Sequence, residues 1–224
     1  MKLLGPQNFG NPRRVSIFLA EKGVEIQWFP VDIANAEHKG PEFLRKNPSG
    51  KVPVLELDDG TYLSETIAIC RYLESLYPDP PMFGVGIRDQ VHVEMWQRKV
   101  EIEIFINTSH YIRHTSPQLA RMEPVQVPEW GNLCRTRVES GLHMVDRQLA
   151  DNEYLTGSRF TVADITLVLQ LLGMPDKLGV KVPEDCPNLA RWLELVYRKP
   201  SVRGTQPPSM GLIQDVVSRN VSTE

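Results

Sequence analysis

Asn47–Leu76, NPSGKVPVLELDDGTYLSETIAICRYLESL, decides how this chain is read. Asn47-Pro48-Ser49-Gly50 is a loop signal, since each residue type favours turn geometry over a regular element. Val54–Leu57 and Thr61–Leu63 flank Asp58-Asp59-Gly60, a tight-hairpin signature. Glu65–Tyr77 then places Ile69, Tyr72, Leu73 and Leu76 at i, i+3, i+4 and i+7, which predicts a helix with one apolar face. Two features of the stretch carry chemistry. Val52-Pro53 either begins a strand or, if the bond is cis, turns the chain and leaves the Val52 N–H and C=O as a free edge for an extended ligand. Ser64-Glu65-Thr66 either caps the helix or offers an amino-acid head group a carboxylate, a hydroxyl and helix amides.

Working towards the N-terminus, Met1–Gly5 and Ile26–Val31 read as strands, with Pro30 favouring a sheet edge. Pro12–Gly23 reads as a helix with Asn11 as N-cap and Pro12 at its first position, and Pro41–Lys46 as a short helical turn. The order β-α-β-α-β-β-α is thioredoxin-like. Towards the C-terminus, the Pro/Gly-rich stretch Tyr77–Gly86 reads as a linker and nearly everything after it as helix. Helices are expected over Val91–His114, Trp130–Leu149, within Ser158–Leu172 and over Asn188–Tyr197. Thr161 and Asp164 form a capping signature with Phe160 as a staple against Ile165, a structural signal rather than a chemical one. The expected organisation is therefore an α+β thioredoxin-like domain over 1–78, a linker over 79–88, an all-α domain over 89–205 and a polar tail over 206–224.

Charge excludes some functions. A net charge of -3 leaves no basic footprint for nucleic acid or anionic membrane. No run approaches the roughly twenty apolar residues of a bilayer span, and no signal-peptide core opens the chain. Cys70, Cys134 and Cys186 are odd in number and widely spaced, which suits a reducing, cytoplasmic location and argues against disulfides or structural zinc. His110 and His114 have an i, i+4 metal spacing, but without a third ligand in the pattern the expectation is no metal.

The string Lys22-Gly23, Glu42-Phe43, Asn47-Pro48 and Gly50-Lys51-Val52-Pro53-Val54-Leu55, continued by Leu63-Ser64-Glu65-Thr66-x-Ala68-Ile69, resembles the amino-terminal domain of cytosolic-type glutathione S-transferases of bacterial theta-, beta- or nu-like kind. Thr161-Val162-Ala163-Asp164 is similar to the capping signature of that family's helical domain, so the likeness covers roughly residues 1–200. The resemblance implies a transferase that binds glutathione as co-substrate and directs its thiolate at small electrophiles, working as a homodimer. It implies that Val52 pairs through its backbone with the cysteinyl part, beside a cis Pro53. Glu65 and Thr66 would hold the γ-glutamyl end, and His38, Lys39 and Lys51 the glycyl carboxylate. A second substrate would lie between the domains, near Phe9, Ile104, Asn107, Thr108 and Tyr111.

The thiolate-stabilising residue departs from the family pattern. Family members use Tyr, Ser or Cys after the first strand, whereas Gly5–Arg14 has none of these. By register the usual Ser position falls on Gly10, and the beta-class cysteine on Asn11, where some nu-like members carry asparagine. An asparagine NH2 can donate to a thiolate. Asn11 is thus the candidate catalytic residue as well as a candidate cap, with Arg13 and Arg14 adding positive potential. Two other readings stay open: disulfide or peroxide chemistry with glutathione as the redox couple, and a non-catalytic binding role, as in translation-factor domains and bacterial regulators of the same fold.

Overall fold

The computed structural model describes residues 1–8, 10–120, 123–172 and 180–206. By contacts the chain divides into two units. The first takes Met1–Met82 together with the described residues 199–206, and the second takes Phe83–Arg198. The division therefore falls between Met82 and Phe83, and the segment from Lys199 groups with the first unit.

The first unit is built on a four-stranded sheet in the order β2-β1-β3-β4. β1 (Lys2–Leu4) runs parallel to β2 (Trp28–Phe29) and antiparallel to β3 (Val54–Glu56), which pairs antiparallel with β4 (Tyr62–Leu63). β2 is shorter than its sequence pattern and lies at the edge, where Pro30 removes no ladder bond. Gly60, at φ 84°, closes the β3–β4 loop, with the Leu57 N–H donating to the Thr61 carbonyl at 2.9 Å.

α1 (Pro12–Lys22) buries Val15, Ile17, Phe18 and Leu19 and ends at Gly23, whose left-handed φ of 64° closes the last turn. α2 (Pro41–Lys46) and α3 (Thr66–Leu76) complete the layer. The buried face of α3 is Thr66, Ile69, Cys70 and Leu73. Leu76, read as part of that face, is 45% exposed because the apolar packing stops one turn earlier. Lys22 is buried at the end of α1, paired with Glu74 of α3 at 2.5 Å and donating to the Pro80 carbonyl at 2.5 Å.

In the second unit, α4 (Gly86–Lys99), a π-helical segment (Val100–Ile106) and α5 (Asn107–Thr115) form one continuous helical run. The run starts earlier than the apolar pattern suggests, and its π turn has no signature in the sequence. α6 (Pro128–Leu149) packs against it closely enough that two glycines are required. A Cβ on Gly141 would lie 2.7 Å from Ile104 Cγ1, and one on Gly131 would lie 2.6 Å from Thr115 Cγ2. α7 (Val162–Leu172) is buried on nearly every side, which its continuous apolar text requires. α8 (Pro187–Tyr197) follows, and no described helix is long and apolar enough to cross a membrane. Returning to the first unit, α9 (Pro200–Gly204) docks on α1. There Val202 is fully buried, and Lys199 pairs with Glu21 at 3.2 Å.

Asp164 organises the second unit. Its Oδ2 accepts from the Thr161 N–H and hydroxyl, each at 3.0 Å. Its Oδ1 accepts from the Leu155 N–H and the Trp192 indole N–H, also at 3.0 Å. The carboxylate reaches back three residues, as the capping signature predicts, while Phe160 makes an edge-on ring contact with Tyr154 at 5.7 Å.

Candidate binding and active site

The β3–β4 hairpin places the two chemistry-bearing segments at one end of the sheet. Leu55 is opposite Leu63 in the antiparallel register, so Val52, before β3, and Glu65, after β4, leave the hairpin on the same side. The Val52–Pro53 bond is cis. β1 ends there too: a Cβ on Gly5, at φ 141°, would lie 3.2 Å from Val52 Cβ, so the loop to α1 passes directly against the turn. Neither backbone group of Val52 is hydrogen-bonded to the described residues. An open N–H and C=O beside a sheet is a place for an extended peptide-like ligand to pair.

Glu65 has φ 66° and ψ 116°, a left-handed conformation unusual for a non-glycine residue. Such backbones are retained where the surroundings demand them, commonly at ligand sites. Glu65 is exposed, and its carbonyl accepts the Ile69 N–H at 2.9 Å, so α3 starts on its backbone without a side-chain cap. The carboxylate is thereby left available. Thr66 is buried, and its Oγ1 accepts from the Arg14 guanidinium, Nη1 being the donor. That bond turns the threonine hydroxyl proton away from Arg14 and free to donate elsewhere.

The loop Asn47–Lys51 is held from within. Asn47 is buried; its Nδ2 donates to the Lys51 carbonyl at 2.8 Å and its Oδ1 accepts from the Ser49 hydroxyl at 3.0 Å. Gly50 permits the turn Glu37–Lys39 to pack on it, since a Cβ would lie 2.9 Å from the His38 carbonyl. Lys39 donates to the Gly50 carbonyl at 2.8 Å, so this side chain has a structural role. His38 keeps a buried Nδ1 without a partner among the described residues. Burial, with the Lys39 charge second, pushes the His38 pKa down, so the ring is held neutral. Lys51 is exposed.

At the start of α1 the sequence reading needs correcting. Asn11 has helical φ and ψ (-63°, -37°) and makes no capping hydrogen bond. A cap residue needs extended geometry to aim its side chain back at the first amides, and Asn11 lacks it. Its backbone carbonyl instead accepts the Arg14 N–H at 3.0 Å, and the exposed side chain is left to other uses. Arg13 is buried and donates to the Val202 carbonyl at 3.0 Å, with Nε and Nη1 unpartnered among the described residues. Desolvation pushes its pKa down to about 10, still charged at neutral pH. The Arg14–Thr66 contact was missed at the sequence level, because nothing local links residues 52 positions apart.

Residues proposed for a second substrate divide. Phe9 lies outside the described residues. Ile104 is completely buried against Gly141, and so belongs to the core rather than to a ligand surface. Asn107 spends its NH2 on the Ile102 and Glu103 carbonyls, at 2.9 and 3.1 Å, which the π turn would otherwise leave unpaired. Thr108 is buried as well, while Tyr111 is partly exposed with the Arg135 guanidinium 6.0 Å from its ring.

Comparison with known proteins finds relatives that cover most of the chain. Residues 11–76 match the glutathione S-transferase N-terminal domain, and residues 133–200 the glutathione S-transferase C-terminal domain. Glutathione S-transferase 2 of Saccharomyces cerevisiae is 37% identical over 195 residues, covering 86% of this chain and 83% of that protein. Elongation factor 1-gamma of Prunus avium is 30% identical over 182 residues, which is 81% of this chain but only 42% of that protein. The crystal structure of a glutathione S-transferase domain-containing protein from Marinobacter aquaeolei VT8 superposes with a TM-score of 0.85 at 35% identity, covering 90% of this chain and all of that one.

Proposed function

Because the chain belongs to the glutathione S-transferase family, we propose that it is a glutathione transferase whose first unit binds the tripeptide at the Val52–Glu65 end of its sheet and directs the thiolate at a small electrophile. The observation that carries this reading is the open Val52 backbone beside a Glu65 held in left-handed geometry. Val52 pairs with the cysteinyl residue as an added strand would. Glu65 takes the γ-glutamyl ammonium, while the Thr66 hydroxyl and the α3 amides take its carboxylate. The neutral His38 ring and Lys51 receive the glycyl end, with Lys39 supporting the loop they stand on.

Activation requires a thiol of pKa about 8.5 to lose its proton at neutral pH. At the start of α1 the Asn11 backbone N–H, which has no partner among the described residues, and the uncommitted Asn11 side chain supply N–H donors, while the Arg13 and Arg14 amides are taken by the Gly10 and Asn11 carbonyls. The thiolate then forms its bond to an electrophilic carbon, and the leaving group departs with the electron pair. Disulfide chemistry that relies on the protein's own cysteines is disfavoured. All three are buried, and burial pushes the Cys70 thiol up to about 12. The chain acts as a homodimer on this reading, which light scattering at working concentration tests.

Calorimetric titration with reduced glutathione in two buffers of different ionisation enthalpy tests the function. Binding with proton release into the buffer is the expected result. Binding without proton release removes thiolate formation, and no binding removes the glutathione site.

A further inference from the structure

We propose that His143, Asp185 and Cys186 form a binding site for a zinc-type divalent transition-metal ion, separate from the glutathione-binding residues. His143 lies on α6, and Asp185 and Cys186 form the turn immediately before α8, all within the second unit. One ligand atom from each residue lies within 4.8 Å of the others. His143 Nε2 is 3.1 Å from Asp185 Oδ2 and 3.2 Å from Oδ1. A tetrahedral ion with nitrogen and oxygen bonds of about 2.0 Å spaces those ligands about 3.3 Å apart. The nitrogen–oxygen edge of the cluster is therefore already near that of an occupied site.

Ring orientation gives a second argument. His143 Nδ1 is 2.7 Å from the Glu139 carbonyl, one helical turn earlier. A carbonyl only accepts, so Nδ1 donates to it; without the ion Nε2 also carries a proton, which it donates to the Asp185 carboxylate, and an arriving ion takes the place of that proton. The same carbonyl–imidazole arrangement orients metal-binding histidines. His110 and His114 are the opposite case. Their Nδ1 atoms accept, from the Trp130 indole at 3.0 Å and the Val127 N–H at 3.1 Å, which places the proton on Nε2. The pair with metal spacing in the sequence thus has Nδ1 occupied as an acceptor, whereas the histidine with no such spacing has Nδ1 donating to a carbonyl, which leaves Nε2 as its ligand atom.

Cys186 is anchored by its backbone, its N–H donating to the Pro183 carbonyl at 3.0 Å and its carbonyl accepting from Ala190 at 3.1 Å. Its thiol is buried while His143 and Asp185 face solvent, an arrangement with one fixed ligand and an open entry. Asp146 and Arg147 are the other charges acting here, and Asp146 is engaged at the start of α8 with the Leu189 N–H at 2.9 Å. Desolvation, with Asp146 and Asp185 adding to it, pushes the Cys186 thiol up to about 11. A divalent ion reverses that balance: the sulfur bonds to the metal and its proton leaves to solvent. One nitrogen, one oxygen and one sulfur select a borderline ion over magnesium or calcium, with a fourth position for water.

The test is cobalt(II) titration of the chelator-treated full chain, followed by zinc competition. One cobalt per chain, with a thiolate charge-transfer band and tetrahedral visible bands that zinc abolishes, is expected. Cys186→Ser should remove the charge-transfer band, and Asp185→Asn should weaken binding roughly tenfold or more. Asp185 is 74% exposed in its side chain, so that variant keeps the fold even if Cys186→Ser does not; melting in chelator verifies this. Absence of the band, or a band and affinity unchanged in Asp185→Asn, overturns the proposal.

Discussion

Two helix starts look alike in the sequence and differ in the fold. Thr161-x-x-Asp164 and Asn11-Pro12 both read as caps. At α7 the Asp164 carboxylate satisfies four donors from Thr161, Leu155 and Trp192 in a fully buried setting. At α1 the Asn11 side chain caps nothing and stays exposed. The α7 start is a structural joint, because its carboxylate is already shared among four donors. At α1 the Arg13 and Arg14 amides are taken by the Gly10 and Asn11 carbonyls, so what stays uncommitted is the Asn11 side chain, and α1 begins on the loop that passes the cis turn at Val52.

The largest effect expected from this contrast is at Asp164. Asp164→Ala leaves two backbone N–H groups and a buried indole N–H unpaired, and urea unfolding should show a loss of about 4 kcal/mol or more. A loss below about 1 kcal/mol would mean that water replaces the carboxylate and that the two starts are not different in kind. Next comes the start of α3. Glu65→Ala should weaken glutathione by about 2 kcal/mol, roughly thirtyfold by calorimetry, with little change in melting temperature, because the carboxylate makes no cap. Unchanged affinity would take Glu65 out of the site. Thr66→Val should cost about 1 kcal/mol of glutathione binding and also some stability, since Arg14 loses one acceptor. The smallest effect lies at Asn11. Asn11→Ala should alter stability by less than about 0.5 kcal/mol, against about 1 kcal/mol for a working cap, yet slow turnover. Asn11→Asp sharpens the point: a carboxylate at the helix start should stabilise the fold by about 0.5 kcal/mol and raise the pKa of bound glutathione. Equal turnover of Asn11→Ala and the parent would leave Asn11 outside the mechanism.

The hairpin, the turn at Asn47–Gly50 and the helix over Glu65–Tyr77 were legible because their signals are local and complete within a few residues. The π segment was not legible, since Val100–Ile106 has an ordinary helical composition and only packing on Gly141 reveals its function. Ile104 shows the same limit: an apolar residue on a helix is compatible with core or with ligand surface, and burial alone decides. At the site, Val52, Pro53, Glu65 and Thr66 were readable as a set, while Arg14 under Thr66 and Lys39 under Gly50 depend on distant segments meeting. Asn11-Pro12 misled because a good cap residue type says nothing about the φ and ψ it adopts.

The π turn also acts as a phase shift. A turn wound with about one extra residue rotates everything after it by about 100° relative to a regular helix. Tyr111, His114 and Thr115, which follow the π turn, are the residues that meet Gly131. Deleting one residue within Val100–Ile106 would therefore leave α4 in place but present α6 with a different side of α5, so an alignment gap there marks a change of surface rather than a change of length.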